Sequence, residues 1–307
     1  MSSLTADIFI LGAAKAGTTS LHDLLNAHPK IKMSVLKEPM FFSRDDYFER
    51  GVDWYSKTFY SEEEGEFLSG EASPHYLYWA EKVASRMHDI AGQKELKFIV
   101  ILRDPVYRAY SWYWNMIKEG EENLPFDEAI ANENERLIRE ETKLRKNGSM
   151  IYGYKKGSMY AQQINEFLRY FPKRNFFFLL QEDLHSDAAG RIRRLFDFLD
   201  VSYEAYEPNS ARKNPASMPR SRALQDLLRN PSAIKDRVKA AIPFRVRQAI
   251  KKALLRANSA PFVYPELNAN SEAKLRMYFA DEVRELQGIV ERDLSHWLPR
   301  TDERPTL

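Results

Sequence analysis

Ile8-Phe9-Ile10-Leu11-Gly12-Ala13-Ala14-Lys15-Ala16-Gly17-Thr18-Thr19-Ser20-Leu21 is the stretch from which the fold can be read. Its four leading apolar residues predict a short buried strand. The small residues from Gly12 to Gly17 turn the chain, and a hydroxyl run then opens a helix with Leu21, Leu24 and Leu25 on one face. A strand, a small-residue turn and a helix N-terminus together make an anion site. Free backbone N–H groups and the positive end of the helix dipole converge where a phosphate would sit. Lys15 adds a full charge, and Thr18, Thr19 and Ser20 add hydroxyl donors.

The spacing narrows the kind of anion. A nucleoside-triphosphate loop reads G-x-x-x-x-G-K-[ST], with the lysine after the second glycine and a hydroxyl that holds magnesium. Here Thr18 follows Gly17 and the lysine comes two residues earlier, so the pattern is G-x-x-K-x-G-T-T. That counts against a P-loop nucleotide kinase. A plain glycine turn bearing a solvated lysine remains an alternative for the stretch taken alone.

Lys15-Ala16-Gly17-Thr18-Thr19-Ser20-Leu21 behind a hydrophobic strand resembles the 5′-phosphosulfate loop of sulfotransferases that use 3′-phosphoadenosine-5′-phosphosulfate (PAPS). The likeness is closest to heparan-sulfate-type sulfotransferases and their soluble bacterial relatives. A second stretch, Lys97-Phe98-Ile99-Val100-Ile101-Leu102-Arg103-Asp104-Pro105-Val106-Tyr107-Arg108-Ala109-Tyr110-Ser111-Trp112-Tyr113, resembles the family's 3′-phosphate signature, and the family pattern runs from about Asp7 to Leu199. The resemblance implies PAPS as sulfuryl donor, with Lys15, Ala16, Gly17, Thr18, Thr19 and Ser20 around its 5′ end and Arg103 and Ser111 on its 3′-phosphate. A guanidinium suits the second task because it binds phosphate bidentately. Asp104 followed by Pro105 is a strong helix start in its own right.

The same resemblance makes Glu38, in Lys37-Glu38-Pro39-Met40-Phe41-Phe42, the catalytic base. Two phenylalanines beside it are expected to desolvate the carboxylate and raise its pKa. Read without the resemblance, Glu38 is a surface partner of Lys37 beside a proline turn. Relatives usually carry E-K-[TS]-P where this chain has Glu71-Ala72-Ser73-Pro74, so the role of that lysine is absent or met elsewhere. His75 is the alternative base. A basic loop closes over the nucleotide in heparan-sulfate relatives. Arg220 is the candidate for that role here, although the K-G-R pattern is not reproduced. No metal is implied, because one sulfuryl group moves rather than a magnesium-bridged polyphosphate.

The 307 residues, 44% hydrophobic and 13% aromatic, suffice for a sizeable core, and a net charge of +2 argues against a bulk polyanion or nucleic-acid binder. With no cysteine, disulfides and thiolate chemistry are excluded. No run reaches the roughly 18–20 apolar residues of a membrane span. The early strand leaves no room for a signal peptide, so the expectation is a cytoplasmic enzyme. The predicted fold is α/β: a P-loop-like central parallel sheet flanked by helices, with a helical basic C-terminal appendage. Residues 1–205 would form the PAPS-binding core and 206–307 a helical region packing on it.

Lys97–Leu102 reads as a central strand, Ile31–Met33 as an edge strand and Phe176–Leu180 as the last strand. The charged run from Phe126 to Lys146 reads as a solvated helix, and Ser271 to Trp297 as a helix packing back on the sheet. Between Ala211 and Arg256 stand thirteen Lys/Arg against two Asp. Ile234, Val238, Ile242, Val246, Ile250 and Leu254 recur there every fourth residue. That stripe packs on the core, or 234–256 touches an anionic membrane or an acidic glycan. The expected activity is sulfuryl transfer to an acceptor hydroxyl or amine. The resemblance favours a carbohydrate or glycolipid acceptor. The rivals are a P-loop kinase and a non-catalytic PAP-binding scaffold.

Overall fold

Because β1 (Ile8–Gly12) is apolar throughout, it is buried at every position and takes the centre of a five-stranded parallel sheet. The computed structural model describes residues 4–61, 66–206, 217–221, 224, 246, 250, 253–254 and 257–299. The chain runs through α1 (Thr18–Asn26), β2 (Ile31–Met33), α2 (Asp45–Phe48), α3 (Gly51–Phe59), β3 (Leu68–Ala72), α4 (His75–Tyr78) and α5 (Ala80–Ala91) to β4 (Lys97–Leu102). It continues through α6 (Pro105–Glu119), α7 (Phe126–Ala131), α8 (Glu133–Arg139), α9 (Glu141–Asn147), α10 (Tyr160–Leu168), β5 (Phe176–Leu180), α11 (Asp183–Ser186) and α12 (Ala188–Phe198). A two-stranded antiparallel ribbon, β6 (Ser217–Pro219) with β7 (Ser259–Pro261), and the long α13 (Ala269–Val290) complete the described elements.

The strand order is β2-β3-β1-β4-β5, with Ile8 opposite both Gly70 of β3 and Lys97 of β4. After β1 the chain leaves toward the β2 edge, and after β4 it leaves toward β5. The crevice at the carboxyl ends of β1 and β4 is therefore the switch point, where open α/β sheets bind ligands. The Lys15 turn and Arg103 both emerge there. β2 is an edge strand and β4 an interior one, as the sequence predicts.

Two elements differ from expectation. The run from Phe126 to Lys146 forms three short helices rather than one, and Glu133 turns inward to full burial, where it accepts the N–H groups of Lys155 and Lys156. α13 packs on helices α10 and α6 rather than on the sheet, burying Leu275, Phe279, Val283 and Leu286. Of the periodic stripe, Val246, Ile250 and Leu254 are described, and each is exposed; the rest of 234–256, apart from Ala253, lies outside the described residues. Among the described residues no helix is long and apolar enough to cross a membrane.

Candidate active site

The turn after β1 is tied to the sheet where Ala13 N–H donates to the Ile101 carbonyl at 2.7 Å. Gly17 stands just before α1 with φ 110°, a left-handed conformation that glycine adopts without strain. The N-terminal N–H groups of α1, at Thr18, Thr19 and Ser20, open beside it. Lys15 is half-buried, with Nζ 3.4 Å from Asn115 Oδ1 of α6. Burial, then the cations Lys118, Arg103 and Arg108, pull its pKa from 10.5 down to about 8, against the pull of Glu38.

Arg103 follows β4 directly and donates through Nη1 to the Lys15 carbonyl at 3.2 Å, so the two sequence signatures touch. Ser111 lies two turns into α6. It shares with Arg103 a cleft of about 410 Å³, walled further by Tyr107, Tyr110, Tyr264 and Glu272. Asp104 Oδ1 caps α6 by accepting from Val106 N at 2.9 Å, and its Oδ2 takes Arg276 of α13 at 3.1 Å. Arg276 also pairs with Glu272 at 2.7 Å, which offsets that carboxylate at the cleft wall. A guanidinium and a hydroxyl in one cleft, joined through Arg103 to the Lys15 turn, offer two neighbouring places where anionic groups can be held.

Glu38 faces the loop from the β2–α2 connection. Its N–H bonds the Ala72 carbonyl at 3.2 Å, and its Oε1 lies 3.2 Å from Lys37 Nζ, which also donates to Thr19 Oγ1 at 2.6 Å. Desolvation does push the carboxyl up, but Lys37, His75 and Lys15 outweigh it and hold Glu38 below its ordinary 4.5. The expected rise is thus corrected. Phe41 and Phe42 turn away into the core, Phe41 stacked on Tyr55 at 4.7 Å and Phe42 edge-on to Phe9 and Tyr76 at 5.8 Å. The Glu38 side chain keeps 38% exposure. His75 opens α4; burial lowers its pKa, Glu38 opposes that, and its buried Nδ1 has no hydrogen-bond partner.

The family model described as a sulfotransferase domain matches residues 5–282. The chain belongs to the PAPS-dependent sulfotransferase family. Among curated proteins it is 33% identical over 192 residues to heparan sulfate glucosamine 3-O-sulfotransferase 6 of Homo sapiens, a match covering 62% of this chain and 51% of that one. It is equally similar to heparan sulfate glucosamine 3-O-sulfotransferase 3A1 of Mus musculus, 33% over 192 residues and 62% and 45% of the two chains. The chain spans about half the length of these relatives. A sulfotransferase from Alicyclobacillus acidocaldarius has a similar solved structure, with TM-score 0.65, 26% identity and coverage of 95% of this chain and 98% of that one.

In this sulfotransferase-family chain the fold brings Lys15 to Ser20, Glu38, His75, Arg103 and Ser111 to one end of the sheet. It leaves Arg220 exposed and outside the cleft lining, its backbone N–H donating to the Asn258 carbonyl at 2.7 Å. The Lys37–Glu38 pair is readable from sequence, but sequence reasoning missed Lys37 as a contact of Thr19, Asn115 as a contact of Lys15, and Arg108 behind the loop. Position offered one signal for Asn115, which stands one helical turn after Ser111 on the same face.

Proposed function

We propose that the protein transfers the sulfuryl group of PAPS to an acceptor hydroxyl, with Glu38 as general base. The observation that carries this reading is the contact between Arg103 and the Lys15 carbonyl, which joins a 3′-phosphate cleft to a 5′ anion loop facing a carboxylate. The acceptor oxygen forms a bond to sulfur, the bond between sulfur and the phosphate oxygen breaks, and the acceptor proton passes to Glu38. Lys15 and the first-turn N–H groups of α1 stabilise the charge that gathers on the departing phosphate oxygen, an electrostatic role of the oxyanion-hole kind.

Lys37 bridges Glu38 and Thr19, and we assign it the task of the lysine that Ala72 replaces. Held below its ordinary pKa, Glu38 is ionised at neutral pH and ready to accept a proton. The heparan sulfate relatives support a carbohydrate acceptor, which the present chain would sulfate on oxygen.

His75 is the second reading for the base, favoured by its unpartnered Nδ1 and neutral ring beside Glu38. Glu38→Gln should keep PAP binding and lower turnover about 10²–10⁴-fold, the usual worth of a placed base. Normal turnover in Glu38→Gln together with loss in His75→Ala would assign the base to His75. Loss of PAP binding in Glu38→Gln would place Glu38 in the nucleotide site instead.

A further inference from the structure

Arg108 follows Arg103 by five residues on α6 and is fully buried behind the Lys15 turn. Nε donates to the Ala14 carbonyl at 3.2 Å, and Nη1 to the carbonyls of Gly153 at 3.0 Å and Tyr154 at 3.1 Å. Nη2 is buried with no hydrogen-bond partner. Among the described residues no carboxylate pairs with the group. Glu133, which faces it, is occupied by the N–H groups of Lys155 and Lys156 at 2.7 and 2.8 Å. Gly157 closes the pocket so tightly that a Cβ there would stand 2.2 Å from Nη1.

A buried cation with no carboxylate in hydrogen-bond contact is costly, and apolar side chains of similar volume usually serve a core better. Three carbonyls and the field of Glu133 offset part of that cost. One of them, Ala14, belongs to the anion loop itself, and the charge reaches Lys15, Arg103 and His75 on the loop's other side.

We propose that Arg108 is a positioning residue for the sulfuryl donor: it fixes the Ala14 carbonyl away from the anion, and the charge that Glu133 leaves unmatched favours the 5′-phosphosulfate bound across the loop. This rests on the PAPS reading above. The charge is used at the 5′ end of the nucleotide, whereas Arg103 and Ser111 serve the 3′ end. Glycine at 157 is then a requirement of the guanidinium's position rather than of the turn.

Binding separates the two ends. Arg108→Met should weaken PAP about tenfold or more by calorimetry, while adenosine 3′-phosphate, which lacks the 5′ group, keeps its affinity. A structural collapse of the cleft would weaken both equally, and that result overturns the proposal.

A second readout needs no turnover. The Lys15 pKa near 8 faces Lys118, Arg103, Arg108 and Glu38, together with the neutral Asn115. Removing one cation should move it upward, observable by NMR of reductively ¹³C-methylated lysines in the ligand-free protein. Arg108→Lys should leave it near its present value. An unmoved Lys15 in Arg108→Met refutes the electrostatic role. Should Arg108→Met fail to fold, Gly157→Ala displaces the guanidinium and keeps its charge; PAP should weaken against adenosine 3′-phosphate, and wild-type affinity for both overturns the proposal. If the wild-type protein itself ignores PAP, the donor reading falls along with this one. PAP binding with unaltered selectivity in Arg108→Met defeats this one alone.

Discussion

Arg276→Met tests how α13 supports the nucleotide cleft. In the native chain Arg276, with its side chain 9% exposed, holds Asp104 at 3.1 Å, Glu272 at 2.7 Å and the Trp297 carbonyl at 3.0 Å. Methionine keeps most of the packing volume and removes the charge. Stripping one partner from a buried pair costs about 3–5 kcal/mol. Two features reduce that here. Glu272 is 24% exposed and keeps the Tyr107 hydroxyl at 3.1 Å, and Asp104 keeps its cap on Val106 N at 2.9 Å. The expected loss is therefore about 2–4 kcal/mol, or a melting point lower by about 5–10 °C.

The sign of a second substitution checks the cause. In the native chain Asp104→Asn weakens a paired cap and should cost stability. In Arg276→Met it removes an orphaned carboxylate while asparagine still caps, so it should be neutral or stabilising. Urea titrations of the four proteins give the coupling, and calorimetry gives PAP affinity, expected to fall about tenfold as the start of α6 loosens. Equal costs of Asp104→Asn in both backgrounds, or an Arg276→Met protein within about 0.5 kcal/mol of wild type, would refute the argument.

Arg103→Ala should lose most PAP affinity and little for adenosine-5′-phosphosulfate, which has no 3′-phosphate; equal losses would contradict the cleft assignment. Lys15, with its pKa near 8, should impose an alkaline limb on turnover, the rate falling about tenfold per pH unit above that value. A profile flat to about pH 10 would show that its charge is not used. Glu71 is fully buried, takes the Tyr55 hydroxyl at 3.0 Å, and is pushed by burial from 4.5 to about 8. The folded state then holds a proton that the unfolded state releases, so stability falls as pH rises from 4.5 to about 8. Glu71→Gln should remove that slope and be more stable than wild type at pH 8 by about 2–4 kcal/mol in urea titrations; an unchanged slope would assign the proton elsewhere.

Much of the site was legible because its parts are local. A strand, a small-residue turn and a hydroxyl run form the candidate anion loop whatever lies around them, and Asp104-Pro105 starts a helix by its own chemistry. What could not be read depends on groups distant in sequence. Glu133 lies in a charged run that reads as solvated, yet it is buried because two N–H groups more than twenty residues away need an acceptor. Arg108 reads as one more charge on a helix, and only the folded chain places Ala14, Gly153 and Tyr154 around it.

Glu38 is the most instructive error. Burial does raise the Glu38 pKa, as expected, although Phe41 and Phe42 themselves turn into the aromatic core; the net direction is the part that differs. The sign of its pKa shift is set instead by Lys37, His75 and Lys15, drawn from three separate elements. Held below its ordinary value, Glu38 as the proposed base is intrinsically weaker and gains little from basicity. Its effect has to come from lying beside the acceptor, and the lysines that keep it ionised are the same charges that favour an anion leaving the loop. On this reading base and anion loop act as one electrostatic unit, and changes at Lys15 or Lys37 should disturb proton removal and donor binding together.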